Sequence, residues 1–193
     1  SLGNTIDPLN LINKFGLDYV RYFLIREIPF GNDGNYSESI FINRINSELV
    51  NNIGNLSQRV LAFIQRYCEG KVPSFSGVYT PEDKALLDLS HSSIKIMKEL
   101  VDKQDLNKAV GVIVDLGSAA NEYIDKNAPW HLRSVDVTRM NDVLFTLLET
   151  IRVIAILLQP VIPDSAEKLL SNLGRGKLNF SDIANSNEML ISG

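Results

Sequence analysis

Hydrophobic positions return at helical spacing along most of the chain, most clearly between Arg44 and Tyr67. There Ile45, Leu49, Ile53, Leu56, Val60, Phe63, Ile64 and Tyr67 recur at steps of mostly three or four. That spacing predicts one long amphipathic helix with a single buried stripe. Ser37 opens it, it runs to about Glu69, and Gly70 ends it. Upstream, Asp7-Pro8 and Gly16 frame a short helix over Pro8 to Phe15. A second helix follows, with Val20, Phe23, Leu24 and Ile28 on one side. Pro29, Gly31 and Gly34 mark a tight connection between helices.

Downstream, residues 71–79 read as loop. Thr80-Pro81-Glu82-Asp83 then combines a cap, a proline at the first helical position and an acid at the third. The helix it starts carries Leu86, Leu89, Ile94, Met97 and Leu100 to about Lys103. Asp105 is expected to cap the next, which ends where Ala128 meets Pro129. The residue before a proline disfavours helix, so Pro129-Trp130 is expected at an abrupt bend. After a polar break at Ser134 to Val137, apolar positions from Met140 to Leu158 predict another long helix. Pro160 and Pro163 end it and lead to a short helix over about Asp164 to Leu173. The last twenty residues are turn-rich, with a short strand expected at Met189 to Ser192. The fold class is all-α, an up-and-down bundle of four long helices with shorter ones at both ends.

Composition narrows the chemistry. At 193 residues, 45% hydrophobic and 22% charged, the chain has the make-up of a soluble globular domain. Its apolar runs are too short to span a membrane. One cysteine, Cys68, excludes an internal disulfide framework and a multi-cysteine metal site. A cytoplasmic setting and no metal are expected. Neither a phosphate-binding glycine loop nor a nucleophile–base spacing stands out, so no catalytic residue is assigned. Acidic residues read as solvated helix faces. The net charge is −4, yet Arg44 to Lys71 holds four basic against two acidic residues, a local +2 that leaves −6 elsewhere. An RNA partner would have to be read locally, not captured by a broad positive field.

Three residues carry candidate chemistry, each with a structural alternative. Asn55 and Arg59 lie one turn apart, off the buried stripe. An amide offers donor and acceptor together, and a guanidinium offers a planar fork that also stacks. With Asn51, Asn52 and Gln58 they form either an ordinary amide-rich outer face or a base-reading pair. Trp130 is either a core or hinge anchor or a platform for an unpaired base. Gly54, inside the helix, signals either close packing of a neighbouring helix or close approach of a ligand to the backbone.

Together these segments resemble the C-terminal part of the methionyl-tRNA synthetases, a class I aminoacyl-tRNA synthetase family. Ser1-Leu2-Gly3-Asn4 is similar to the end of the signature lysine loop and the residues after it, with Ser1 matching the loop's final serine. More selective are Arg26 to Ser37 (REIPFGNDGNYS), Asn46 to Arg59 with its Gly-Asn-Leu-x-x-Arg ending, and Asn127 to Trp130 (NAPW). The resemblance covers nearly the whole chain and is weakest over the last twenty residues.

It implies a helical domain that binds the anticodon stem-loop of tRNA(Met). Asn55 and Arg59 would contact bases of the CAU anticodon, and Trp130 would stack on the first of them. The parent enzyme would join methionine to tRNA using ATP with magnesium. The nucleotide-binding domain, the His-Ile-Gly-His type motif and a zinc-bearing insert are not found here. The chain is therefore expected to be a fragment, inactive alone and without a cofactor, that partners its own N-terminal catalytic domain. Expected divisions are a junction segment over 1–36, the bundle over 37–173 and an irregular C-terminal segment over 174–193. Alternatives are a helical protein-interaction scaffold, or the anticodon domain of another class I synthetase.

Overall fold

The computed structural model describes residues 7–27 and 36–174. The lysine-loop serine Ser1, the Pro29 to Gly34 connection and the Met189 to Ser192 strand lie outside the described residues. The helices are α1 (Pro8–Phe15), α2 (Leu17–Glu27), α3 (Glu38–Arg44), a π-helical stretch (Ile45–Gly54), α4 (Asn55–Tyr67), α5 (Pro81–Asp102), α6 (Leu106–Asn127), α7 (Pro129–Val135), α8 (Val137–Leu158) and α9 (Pro163–Asn172). No strand occurs among the described residues.

α8 is the centre. Every residue from Asp142 to Leu158 is buried, and α4, α5, α6, α7 and α9 pack around it. From Val153 to Leu158 the helix is apolar on all sides and has no face to give to solvent, which is why the other helices enclose it. Arg152 does not break this helix; it is itself inaccessible and pairs with Glu149. Asn52 meets Val114, Ser118 and Asn121 while Arg59 meets Asp125, so the composite helix 38–67 advances in the same direction as α6. Asp83, near the start of α5, meets Tyr123 near the end of α6 and Arg139 near the start of α8. The four long helices thus alternate up and down, as the pattern predicts.

Local signals act where expected at several ends. Asp7 accepts from Leu9 N–H, Ser37 from Ile40 N–H, and Thr80 with Asp83 forms a reciprocal capping box. Gly70 takes φ +70° and returns its N–H to the Ile64 carbonyl. Asp105 does not cap α6; its carboxylate pairs with Lys108 Nζ instead.

Two differences from the periodic pattern matter for function. The long helix is not α throughout: residues 45–54 are π-helical, and the Asn55 N–H reaches back five residues to the Val50 carbonyl. At Gly54 an added Cβ would lie 3.0 Å from the Leu49 carbonyl oxygen, and among the described residues no neighbouring helix comes within 4 Å of that point. The glycine therefore relieves crowding within its own wide turn. Close helix packing occurs at Gly117 of α6, where a Cβ would lie 2.8 Å from Asn52 Oδ1. The second difference is Tyr67, which the spacing assigns to the buried stripe but which is exposed. On α2, likewise, Leu24 is exposed and Tyr22 is fully buried.

Candidate nucleic-acid interface

Of the candidate pair, Asn55 stands where the π-helix returns to α-helix. Asn55 is the first residue of α4; it is exposed, and its amide makes no hydrogen bond among the described residues. Together with Asn51, Gln58, Tyr19 and Lys168 it rims a groove of about 660 Å³ between α4 and α9, floored by Leu158 and Ile162. Asn52 is not part of this free amide face. Its side chain donates to the Val114 carbonyl and Ser118, and accepts from Asn121 at 2.9 Å, fixing the π stretch to α6.

One turn on, Arg59 turns toward α6 and α7. Its Nη2 pairs with Asp125 at 2.7 Å, and its guanidinium carbon lies 5.4 Å from the centroid of the Trp130 ring. Trp130 is 48% exposed, in the first turn of α7. The fold thus brings Arg59 and Trp130 together, with Asn55 exposed one turn earlier. Arg59 is thus engaged within the molecule by Asp125, while the Asn55 side chain is not engaged among the described residues.

The bend that presents Trp130 is built from the chain around it. Pro129 bars right-handed helix at Ala128, which takes φ +42° and ψ +65°. A left-handed alanine costs on the order of 1–2 kcal/mol. Asn127 offsets that cost, donating to the Tyr123 carbonyl and accepting from Arg139 Nη2 at 2.8 Å. Arg139 in turn forks onto Asp83, which also accepts from Tyr123 Oη and the Thr80 N–H. Burial alone would raise the Asp83 carboxyl; the bonds from Arg139, Tyr123 and Thr80 outweigh it and hold it below the usual carboxylate range. Burial, together with Asp83, pushes the Tyr123 phenol up.

A second buried cluster steadies the π stretch from behind. Glu48 accepts from Tyr22 Oη at 2.7 Å, Arg26 Nε at 3.1 Å and Arg44 Nη1 at 2.9 Å, and Glu27 also holds Arg44. Here too burial would raise the Glu48 carboxyl, and its three donors bring it below the ordinary value. Periodicity reads such carboxylates as solvated; four of them, Glu48, Asp83, Asp142 and Glu149, are buried. Among the described residues no group of three or more potential ligands is placed to hold a metal ion. No described helix is long and apolar enough to cross a membrane.

A family model described as the anticodon binding domain of methionyl tRNA ligase matches residues 72–193, and one described as tRNA synthetases class I (M) matches residues 1–61. Methionine–tRNA ligase of Brucella suis is 44% identical over 185 residues, covering 95% of this chain and 36% of the relative. That of Rickettsia felis is 49% identical over 182 residues, 92% of this chain and 35% of the relative. The chain therefore spans about a third of the length of the curated relatives it matches. Mycobacterium tuberculosis methionyl-tRNA synthetase in complex with methionyl-adenylate superposes with a TM-score of 0.93 at 36% identity, over 100% of this chain and 38% of that one. Its apo form gives 0.85 at 37% identity, over 89% and 35%. The anticodon-binding match alone takes in more than half of the chain, and the structural match runs its full length. The chain belongs to the anticodon-binding domain family of the methionyl-tRNA ligases.

Proposed function

We propose that this chain recognises the CAU anticodon of tRNA(Met), with Trp130 stacking on the first anticodon base and Asn55 and Arg59 reading base edges. This reading rests on the Arg59 guanidinium over the exposed Trp130 ring, with the Asn55 amide, unbonded among the described residues, one turn away. An unpaired base is held by an aromatic face and distinguished by groups that match its edge. The Asp125 carboxylate keeps the Arg59 fork beside the ring before RNA arrives, so less freedom is lost on binding. Within the whole protein, residues 1–36 join this bundle, over 37–173, to an N-terminal catalytic domain. That domain makes methionyl-tRNA from methionine, ATP with magnesium and tRNA, in the cytoplasm; the present chain does not.

Trp130→Ala tests the platform. Because the ring is exposed, the fold should survive, checked by an unchanged unfolding midpoint. Affinity for a CAU stem-loop, followed by fluorescence anisotropy at low salt, is expected to fall by about 1–3 kcal/mol, the worth of one base–aromatic stack. An affinity equal to that of the unsubstituted chain would remove Trp130 from the site.

A further inference from the structure

Tyr67 lies two turns beyond Arg59 on α4, and Arg133 lies three residues beyond Trp130 on α7. The two helices therefore repeat the pairing seen at Arg59 and Trp130 with the chemistry exchanged. The Arg133 guanidinium lies 4.2 Å from the centroid of the Tyr67 ring, and that of Arg66 lies 5.3 Å from the same centroid. Phe63, between Arg59 and Tyr67 on α4, backs the ring at 4.6 Å. All three of Tyr67, Arg66 and Arg133 are exposed.

What distinguishes this cluster is its charge. Among the described arginines, Arg26, Arg44, Arg59, Arg139 and Arg152 each pair with a carboxylate, and Arg21 donates to the Pro160 carbonyl. Arg66 and Arg133 make no hydrogen bond or ion pair among the described residues. Two like charges thus converge on one ring with no anion between them among the described residues. A phosphate supplies that anion, and a guanidinium backed by an aromatic ring offers a flat surface on which a base stacks.

We propose that Tyr67, Arg66 and Arg133 form a second nucleotide seat: an unpaired loop nucleotide flanking the anticodon triplet stacks on the Arg133–Tyr67 unit, and Arg66 and Arg133 take its phosphate. The proposal rests on the anticodon reading above, because the first seat at Trp130 delivers the strand to the second. It differs from the first seat in kind. Stacking and phosphate pairing carry no base identity, so this seat adds affinity without selectivity.

The test uses this chain and end-labelled stem-loops carrying CAU or an altered triplet, titrated over a series of salt concentrations. Tyr67→Ala is expected to weaken binding roughly 5- to 150-fold for every triplet alike, leaving the preference for CAU unchanged. The double variant Arg66→Gln/Arg133→Gln is expected to flatten the salt dependence, its slope falling by about 0.7 for each phosphate that is no longer neutralised. All three side chains are exposed, so both variants should fold, with circular dichroism as the check. With 2-aminopurine in turn on each side of the triplet, one position should be quenched on binding and released by Tyr67→Ala. If Trp130→Ala weakens binding while both new variants bind with the original affinity and salt slope, the second seat is wrong and the first stands. If the unsubstituted chain binds no stem-loop at low salt, both are wrong.

Discussion

Replacing Arg139 by methionine is expected to cost about 3–5 kcal/mol of folding stability, the range for removing one partner of a buried ion pair. The magnitude follows from what is left behind. Asp83 is inaccessible to solvent, and Arg139 supplies two of its bonds, at 2.6 and 2.8 Å. Without the guanidinium, the carboxylate keeps only Tyr123 Oη and the Thr80 N–H to face a low-dielectric interior. Removing both charges, as Arg139→Met with Asp83→Leu, should recover part of the loss, although the Thr80 N–H and the Tyr123 hydroxyl then lose Asp83 as an acceptor. Urea unfolding of the single and double variants measures this directly.

The pH dependence carries a sign. With its folded pKa lowered, Asp83 contributes stability above its ordinary value near 4, and that contribution is lost as pH falls through the folded value. In Arg139→Met the buried carboxyl is pushed the other way, so acidification relieves it. The stability gap between the two proteins should narrow as pH falls. Because Arg139 also holds Asn127 at the bend before Trp130, the same variant should weaken stem-loop binding even where it remains folded.

Glu48→Ala is expected to cost about 2–4 kcal/mol, somewhat less because Arg26 and Arg44 keep partial access to water. The substitution leaves the fully buried Tyr22 hydroxyl without its acceptor and Arg26 with only the Asn107 carbonyl. Arg44 keeps Glu27, so its loss is smaller. Thermal unfolding of Glu48→Ala and Glu48→Gln separates the two contributions. Glutamine restores an acceptor but not the charge, and should fall between the wild type and alanine. Glu48 sits in the π stretch, so both variants should also disturb the turn that ends at Gly54-Asn55.

What can be read from residues alone is the set of helices and their ends. Strong local signals lie at Asp7-Pro8, Ser37, Thr80 to Asp83 and Gly70, and each acts through its own backbone. The π stretch escapes such a reading because i→i−5 pairing has no side-chain signature. Its one trace is the uninterrupted step of four from Ile45 to Leu49 to Ile53. Asn52 looks like surface because an amide's role depends on the helix opposite, here Gly117, whose missing side chain makes room for it. The partners of Asp83 and Glu48 are equally distant along the chain. Tyr67 lies at the end of α4, where the bundle no longer covers the stripe. The short helix α7 falls in what composition marks as a bend and a polar break, because Pro129 both ends one helix and starts another. Spacing alone places Trp130 on a bend but not beside Arg59. That juxtaposition needs the fold.

The most direct measurement is a comparison of affinities for stem-loops that differ only in the anticodon triplet, made with the unsubstituted chain and with Asn55→Ala. Base reading by Asn55 and Arg59 predicts that a wrong base at a read position costs about 1–3 kcal/mol, and that Asn55→Ala erases much of that difference. Equal affinity for CAU and for every altered triplet would contradict the account, however tightly the RNA is bound.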